Sequence, residues 1–184
     1  MKIFKVFILI IILCVSENVY SQHIEFDGCY INGNIKSAMK QLQTLGHEKI
    51  NKETVRGTYL NRKCSIFLNK GNTYKYILSM SIYFQRHNTW ADLIADYNDI
   101  IDYYKKRYGE PKSITEKFNK PYTLGDGNEM TAIEEYQCDY RQSWQVDDMS
   151  IVVFLADRKS LAIIYMDEIN FPMDIEMFNQ KHQK

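Results

Sequence analysis

The chain has 184 residues, 45% of them hydrophobic and 25% charged, with 23 basic and 23 acidic side chains and no formal net charge. That apolar fraction excludes a mainly disordered polypeptide, and 3 Pro with 8 Gly exclude a linker or a collagen-like chain. The balanced charge offers no bulk electrostatic attraction for nucleic acid, so no nucleic-acid partner is expected.

Residues 1–21 read as a secretory signal peptide. Lys2 and Lys5 form a basic start, and Val6 to Leu13 is an unbroken apolar run, too short to span a bilayer as a helix. Val19 and Ser21 then occupy the −3 and −1 positions of a cleavage site, which places the cut after Ser21. The alternative is lipoprotein processing at Cys14, which Leu13 disfavours because a small residue is needed before the cysteine. No later stretch is apolar enough to cross a membrane, so residues 22–184 are expected as one exported domain: periplasmic, cell-surface or secreted.

Residues 24–31 alternate loosely around Gly28 and read as a short strand or edge segment. Asn32-Gly33-Asn34 is a turn that also offers a helix cap. Ile35, Ala38, Met39, Leu42 and Leu45 follow at helical spacing, with Gly46 placed to end the helix. Thr58 to Leu68 then reads as a strand, with Cys64, Ile66 and Leu68 on one face, and Lys70-Gly71-Asn72 as a hairpin turn. Residues 76–84 alternate cleanly and predict a half-buried antiparallel strand.

The spacing predicts a second helix from Thr89, whose capping box is completed by Asp92. Trp90, Leu93, Ile94, Tyr97, Ile101, Tyr104 and Tyr108 form its core stripe, Lys105 to Arg107 sit where the helix dipole favours cations, and Gly109 with Pro111 end it. Residues 112–133 read as a long polar connection. Three strands follow at Glu134 to Trp144, Met149 to Ala156 and Leu161 to Met166, with turns at Asp147-Asp148 and Asp157-Arg158-Lys159. Residues 171–184 form a tail with one helical turn near Asp174 to Phe178.

The order predicts an α+β fold of two helix-then-antiparallel-strand units, α-β-β and α-β-β-β, with both helices on one face of a mainly antiparallel sheet. The sub-units would span 22–88 and 89–170. Charge divides between the halves: residues 22–90 carry a net +6 and residues 91–184 a net −7. That split is read as two halves attracting each other, or as a bipolar surface orienting a protein partner.

No catalytic or cofactor signature stands out. There is no phosphate loop, dinucleotide fingerprint or nucleophile elbow, so no cofactor is expected. His23, His47, His87 and His182 lie far apart and three cysteines remain after the leader, so no metal site is expected. In an oxidising compartment Cys29, Cys64 and Cys138 allow one structural disulfide between two of them, or three buried thiols. Glu134/Glu135, Asp147/Asp148 and Asp167/Glu168 are adjacent acids; neighbours in a strand point to opposite faces, so Glu134 and Glu135 do not readily share a substrate, and no catalytic dyad is expected. Asp126, Asn128 and Glu129 suggest a loop turn and lack the closing Glu of a calcium loop. Among the abundant aromatics, Trp90, Tyr97 and Tyr104 belong to the core, while Tyr83 and Tyr103 fall off the core stripes and are the candidate contact residues.

Phe26-Asp27-Gly28 and Ile31-Asn32-Gly33 before the first helix, Thr89-Trp90 through Tyr97, Lys106-Arg107-Tyr108-Gly109-Glu110-Pro111 and Ile164 to Asn170 together carry a resemblance. The chain resembles a group of small exported proteins of Bacteroides-type bacteria across nearly all of residues 22–184. That resemblance implies neither an activity nor catalytic residues. The repeated helix-plus-sheet order is also similar in architecture to β-lactamase-inhibitor-like modules and small outer-membrane assembly lipoproteins, a likeness of fold. The expected function is a non-enzymatic protein-binding or envelope-associated module. The alternative is an enzyme, or a small-molecule or glycan binder, with a site assembled from distant residues. Oligomeric state is not readable from the chain.

Overall fold

The computed structural model describes residues 24–31, 34–71 and 76–182. The signal peptide expected at 1–21 lies outside the described residues. The chain opens with a hairpin of β1 (Glu25–Phe26) and β2 (Cys29–Tyr30). Asp27 and Gly28 form its turn at φ 50° and 74°, the positive values that a two-residue hairpin turn requires. Helix α1 (Ile35–Thr44) begins where Asn34 accepts a hydrogen bond from the Ser37 N–H. After it come β3 (Glu48–Lys49), β4 (Thr54–Tyr59), β5 (Arg62–Lys70) and β6 (Ile77–Arg86).

Helix α2 (Trp90–Tyr108) starts on the predicted capping box: the Thr89 hydroxyl accepts from the Asp92 N–H at 3.1 Å and donates to its carboxylate at 2.6 Å. Strand β7 (Ser113–Phe118), the short helix α3 (Glu129–Glu134), then β8 (Cys138–Val146), β9 (Met149–Ala156) and β10 (Ser160–Asp167) follow, and α4 (Asn170–His182) ends the described chain. An eight-stranded sheet runs in the order β3-β4-β5-β6-β10-β9-β8-β7, with every neighbouring pair antiparallel. The fold is α+β, with the helices packed against the sheet.

Register assigns the two faces, because cross-strand partners point the same way. Val55, Ile66, Ile82, Ile163, Val153 and Gln142 lie in one row across β4, β5, β6, β10, β9 and β8. Those residues are at most 5% exposed and face the helices. The predicted stripe of α2 lands here: Leu93, Tyr97 and Tyr104 are fully buried, and the Tyr104 ring lies 5.5 Å from Trp144. Burying each such side chain contributes roughly 1.5–3 kcal/mol. Phe26 from the opening hairpin joins the same layer, 4.7 Å from Tyr59 and 5.9 Å from Tyr165.

Several expectations are corrected. Thr58 to Leu68 is not one strand: Leu60 and Asn61 both take positive φ, 48° and 61°, and turn β4 back into β5. Asn carries no adjacent glycine there, so the turn has little sequence signal. The 112–133 connection contains β7, whose six residues pair with β8 from Ser113↔Ser143 to Phe118↔Cys138. Its sparse apolar residues reflect an edge position. The strand predicted from Glu134 starts only at Cys138, because residues 129–134 are helical and Tyr136 turns the chain at φ 59°. Each long helix is thus followed by four antiparallel strands rather than by two and three. The tail's single expected turn is a longer helix, α4, touching β10 and β6.

Candidate functional site

The opposite face of β4, β5 and β6 carries the most site-like surface among the described residues. Arg56, Ser65, Tyr83 and Ala162 form one cross-strand row there, and Phe67 pairs with Ser81 in the next. These positions alternate with the buried ones, so the period that fills the core also sets out this surface. Phe67 is 39% exposed and meets the half-buried Tyr83 edge-on, at 5.6 Å between ring centres. Below them the Asn69 amide donates to the Ser79 and Ser81 hydroxyls at 3.1 and 3.2 Å.

Arg86 would face away from Tyr83 in a regular strand. However, Ala162 pairs with Tyr83 and Ser160 with Arg86, so β6 uses one more residue than β10 over this stretch. The bulge turns Arg86 onto the Tyr83 face, the local re-aiming that bulges provide. Two depressions adjoin here, of about 750 and 660 Å³, and both are lined by Ser65, Tyr83 and Arg86. The first extends to Arg56 and Lys63, the second to Phe67 and Arg158. Arg56, Lys63, Arg86 and Arg158 are all exposed, so the depressions open to solvent.

Those four cations hold no ion pair among the described residues. Arg62, on the helix-facing side, differs: it donates to Asp96 at 3.0 Å and Asp99 at 2.9 Å, and is held charged by those carboxylates. Only Glu48 and Asp157 bring carboxylates to the depressions, one to each, and no histidine lines either. The set can bind through aromatic contact, hydrogen bonding and positive charge. It offers no paired acid and base.

The two candidate contact residues are not brought together. Tyr83 stands in the wall shared by both depressions. Tyr103 is half-buried on α2, edge-on to Tyr104, and accepts from the Arg107 guanidinium at 3.2 Å. Since α2 covers the other side of the sheet, the two tyrosines serve different surfaces. Phe67 alternates with Ile66 and Leu68 and so falls off the core face, but its place beside Tyr83 depends on cross-strand register, and the bulge at Arg86 left no sequence signal.

The remaining candidates have structural employment. His47 is buried against Gly57 and Phe26, and burial lowers its pKa from the ordinary 6.5. His87 lies 3.2 Å from Asp96 at the start of α2. The His23 and His182 side chains lie outside the described residues. Asp126 accepts from the Thr123 and Asn128 N–H groups and Glu129 from that of Gly125, so their carboxylates hold the loop. Asp167 caps the start of α4, Glu134 pairs with Lys159 at 2.7 Å, and Asp147 sits in the β8–β9 turn at φ 48°.

Cys64 and Cys138 are free thiols, raised by burial to about 11 and about 12 and thus poor nucleophiles. They stand four strand spacings apart, roughly 19 Å, beyond disulfide reach. The Cys29 side chain lies outside the described residues. In the core, the Tyr59, Tyr104 and Tyr165 hydroxyls bond one another, with Tyr59 and Tyr165 3.0 Å apart. Burial pushes the Tyr59 phenol up to about 12 and the other two well above their usual range, so all three stay neutral and structural. Comparison with protein families, with curated proteins and with solved structures finds no match to this chain.

Proposed function

We propose that this chain is an exported, non-enzymatic binding module that contacts a protein of the cell envelope through the sheet surface around Phe67 and Tyr83. The exported location rests on the basic and apolar pattern of residues 1–21. We also read the sheet as two α-then-β units, each of one long helix and four strands, meeting at β6 and β10. The observation that carries the binding role is the edge-on pair of the exposed Phe67 and the half-buried Tyr83, set among cations that hold no ion pair among the described residues. Large rigid aromatics with a polar tip favour protein contacts, because they bury much area at little entropic cost. The open shape and the single carboxylate in each depression speak against the enzyme alternative.

The test is affinity capture from the native cell envelope after light cross-linking, read by mass spectrometry. One dominant, saturable protein partner is expected, with recovery reduced about tenfold or more by Phe67→Ala or Tyr83→Ala, as for a contact hot spot. Capture of nothing above background, or a partner retained equally by both variants, contradicts this function and directs the work to small-molecule and glycan screens.

A further inference from the structure

The two depressions share Ser65, Tyr83, Phe84 and Arg86 and form one groove across the strands. A third, of about 280 Å³, meets the second only at Asp157 and is lined by Cys138 and Leu155 from the helix-facing rows, so it lies beyond the end of this groove. From β3 at one end to β10 at the other is four strand spacings, roughly 19 Å. An extended polypeptide of about six residues has that reach.

The charge along this path is uneven. Arg56, Lys63, Arg86 and Arg158 point into it without an ion pair among the described residues. The carboxylates facing it are Glu48 near one end and Asp157 near the other. These four cations beside Phe67 and the half-buried Tyr83 form a pattern with a natural complement. Acidic side chains would meet the cations while an apolar side chain anchors on Phe67 and Tyr83. Of the strands beneath, β4, β5, β6 and β10 pair with neighbours on both sides and only the two-residue β3 is an edge, so recognition runs through side chains rather than by adding a strand.

We propose that the groove takes an extended acidic polypeptide segment crossing β4, β5, β6 and the β9–β10 turn, with an apolar residue seated at Phe67 and Tyr83 and its carboxylates on Arg86 and its neighbouring cations. The proposal rests on the binding role above and specifies its ligand. A sulfated polysaccharide would draw mainly on the cations, whereas a polypeptide also supplies an apolar side chain to meet the edge-on Phe67–Tyr83 pair, which is why the polypeptide is favoured.

The test pans a random library of peptides against the purified protein, with heparin fragments as a parallel probe. The selected peptides are expected to be rich in Asp and Glu around an aliphatic or aromatic residue. They should bind about tenfold or more weakly to a Lys63→Gln, Arg86→Gln, Arg158→Gln variant, and more weakly to wild type as salt rises. Phe67→Ala should weaken them too and leave heparin unaffected. The proposal is overturned by any of four results: no selection, selected peptides without acidic enrichment, salt-insensitive binding to wild type, or heparin bound more tightly than every peptide. The salt series needs no variant, so a misfolded triple variant does not remove the test. If envelope capture depends on Tyr83 while the library yields no acidic preference, the binding role stands and this ligand assignment alone falls.

Discussion

Gly57 shows how tightly single residues are committed on the helix-facing side. A Cβ built there would lie 2.1 Å from Nδ1 of His47, a side chain only 5% exposed. The histidine in turn packs near Phe26, with ring centres 6.1 Å apart, so it has little room to retreat. Gly57→Ala is therefore expected to destabilise the protein by about 1–3 kcal/mol through overpacking. Urea unfolding monitored by circular dichroism checks it, and an unchanged midpoint would mean that His47 does not occupy this space. Arg62 and Arg86 make the complementary point. Both are β-strand arginines, yet one is spent on Asp96 and Asp99 while the bulge turns the other to the opposite face, where it holds no ion pair among the described residues.

Among the elements, α2 is the one most plainly written in the sequence. Its stripe, capping box and terminal cations all occupy their predicted places because an amphipathic helix carries its packing in its own period. Leu93→Asp is expected to leave the chain unfolded at 25 °C. An unpaired buried carboxylate costs several kcal/mol, a large share of the 5–15 kcal/mol that holds a typical domain together. A cooperatively folded variant with the wild-type melting temperature would mean that this face does not pack on the sheet. The elements missed are those whose signal is not periodic. The β4–β5 turn uses Leu60 and Asn61 without glycine, and β7 is an edge strand with its apolar residues diluted. Helix α3 is only six residues long, too short for a periodic stripe. The site was half legible for the same reason. Tyr83 showed itself by falling off the core stripe, but its company with Phe67 and Arg86 depends on cross-strand register and a bulge, which only the assembled sheet creates. Tyr103 fell off its stripe equally and lies elsewhere, since leaving a stripe says that a residue is not core and nothing about what stands beside it.

At the scale of the whole molecule, the strand order places the last strand of each half at the centre of the sheet, where β6 and β10 pair. The bulge that aims Arg86 lies on that seam, so the candidate surface draws on both halves of the chain. This surface, and not the helix-covered side, is the one proposed to meet the partner. The most direct measurement replaces Phe67 in one variant and Tyr103 in another with a photo-reactive benzoylphenylalanine and irradiates each in native cells. A covalent adduct to one partner protein is expected from position 67, and none to that protein from position 103. An adduct from 103 alone would put the contact on the helices and contradict the account.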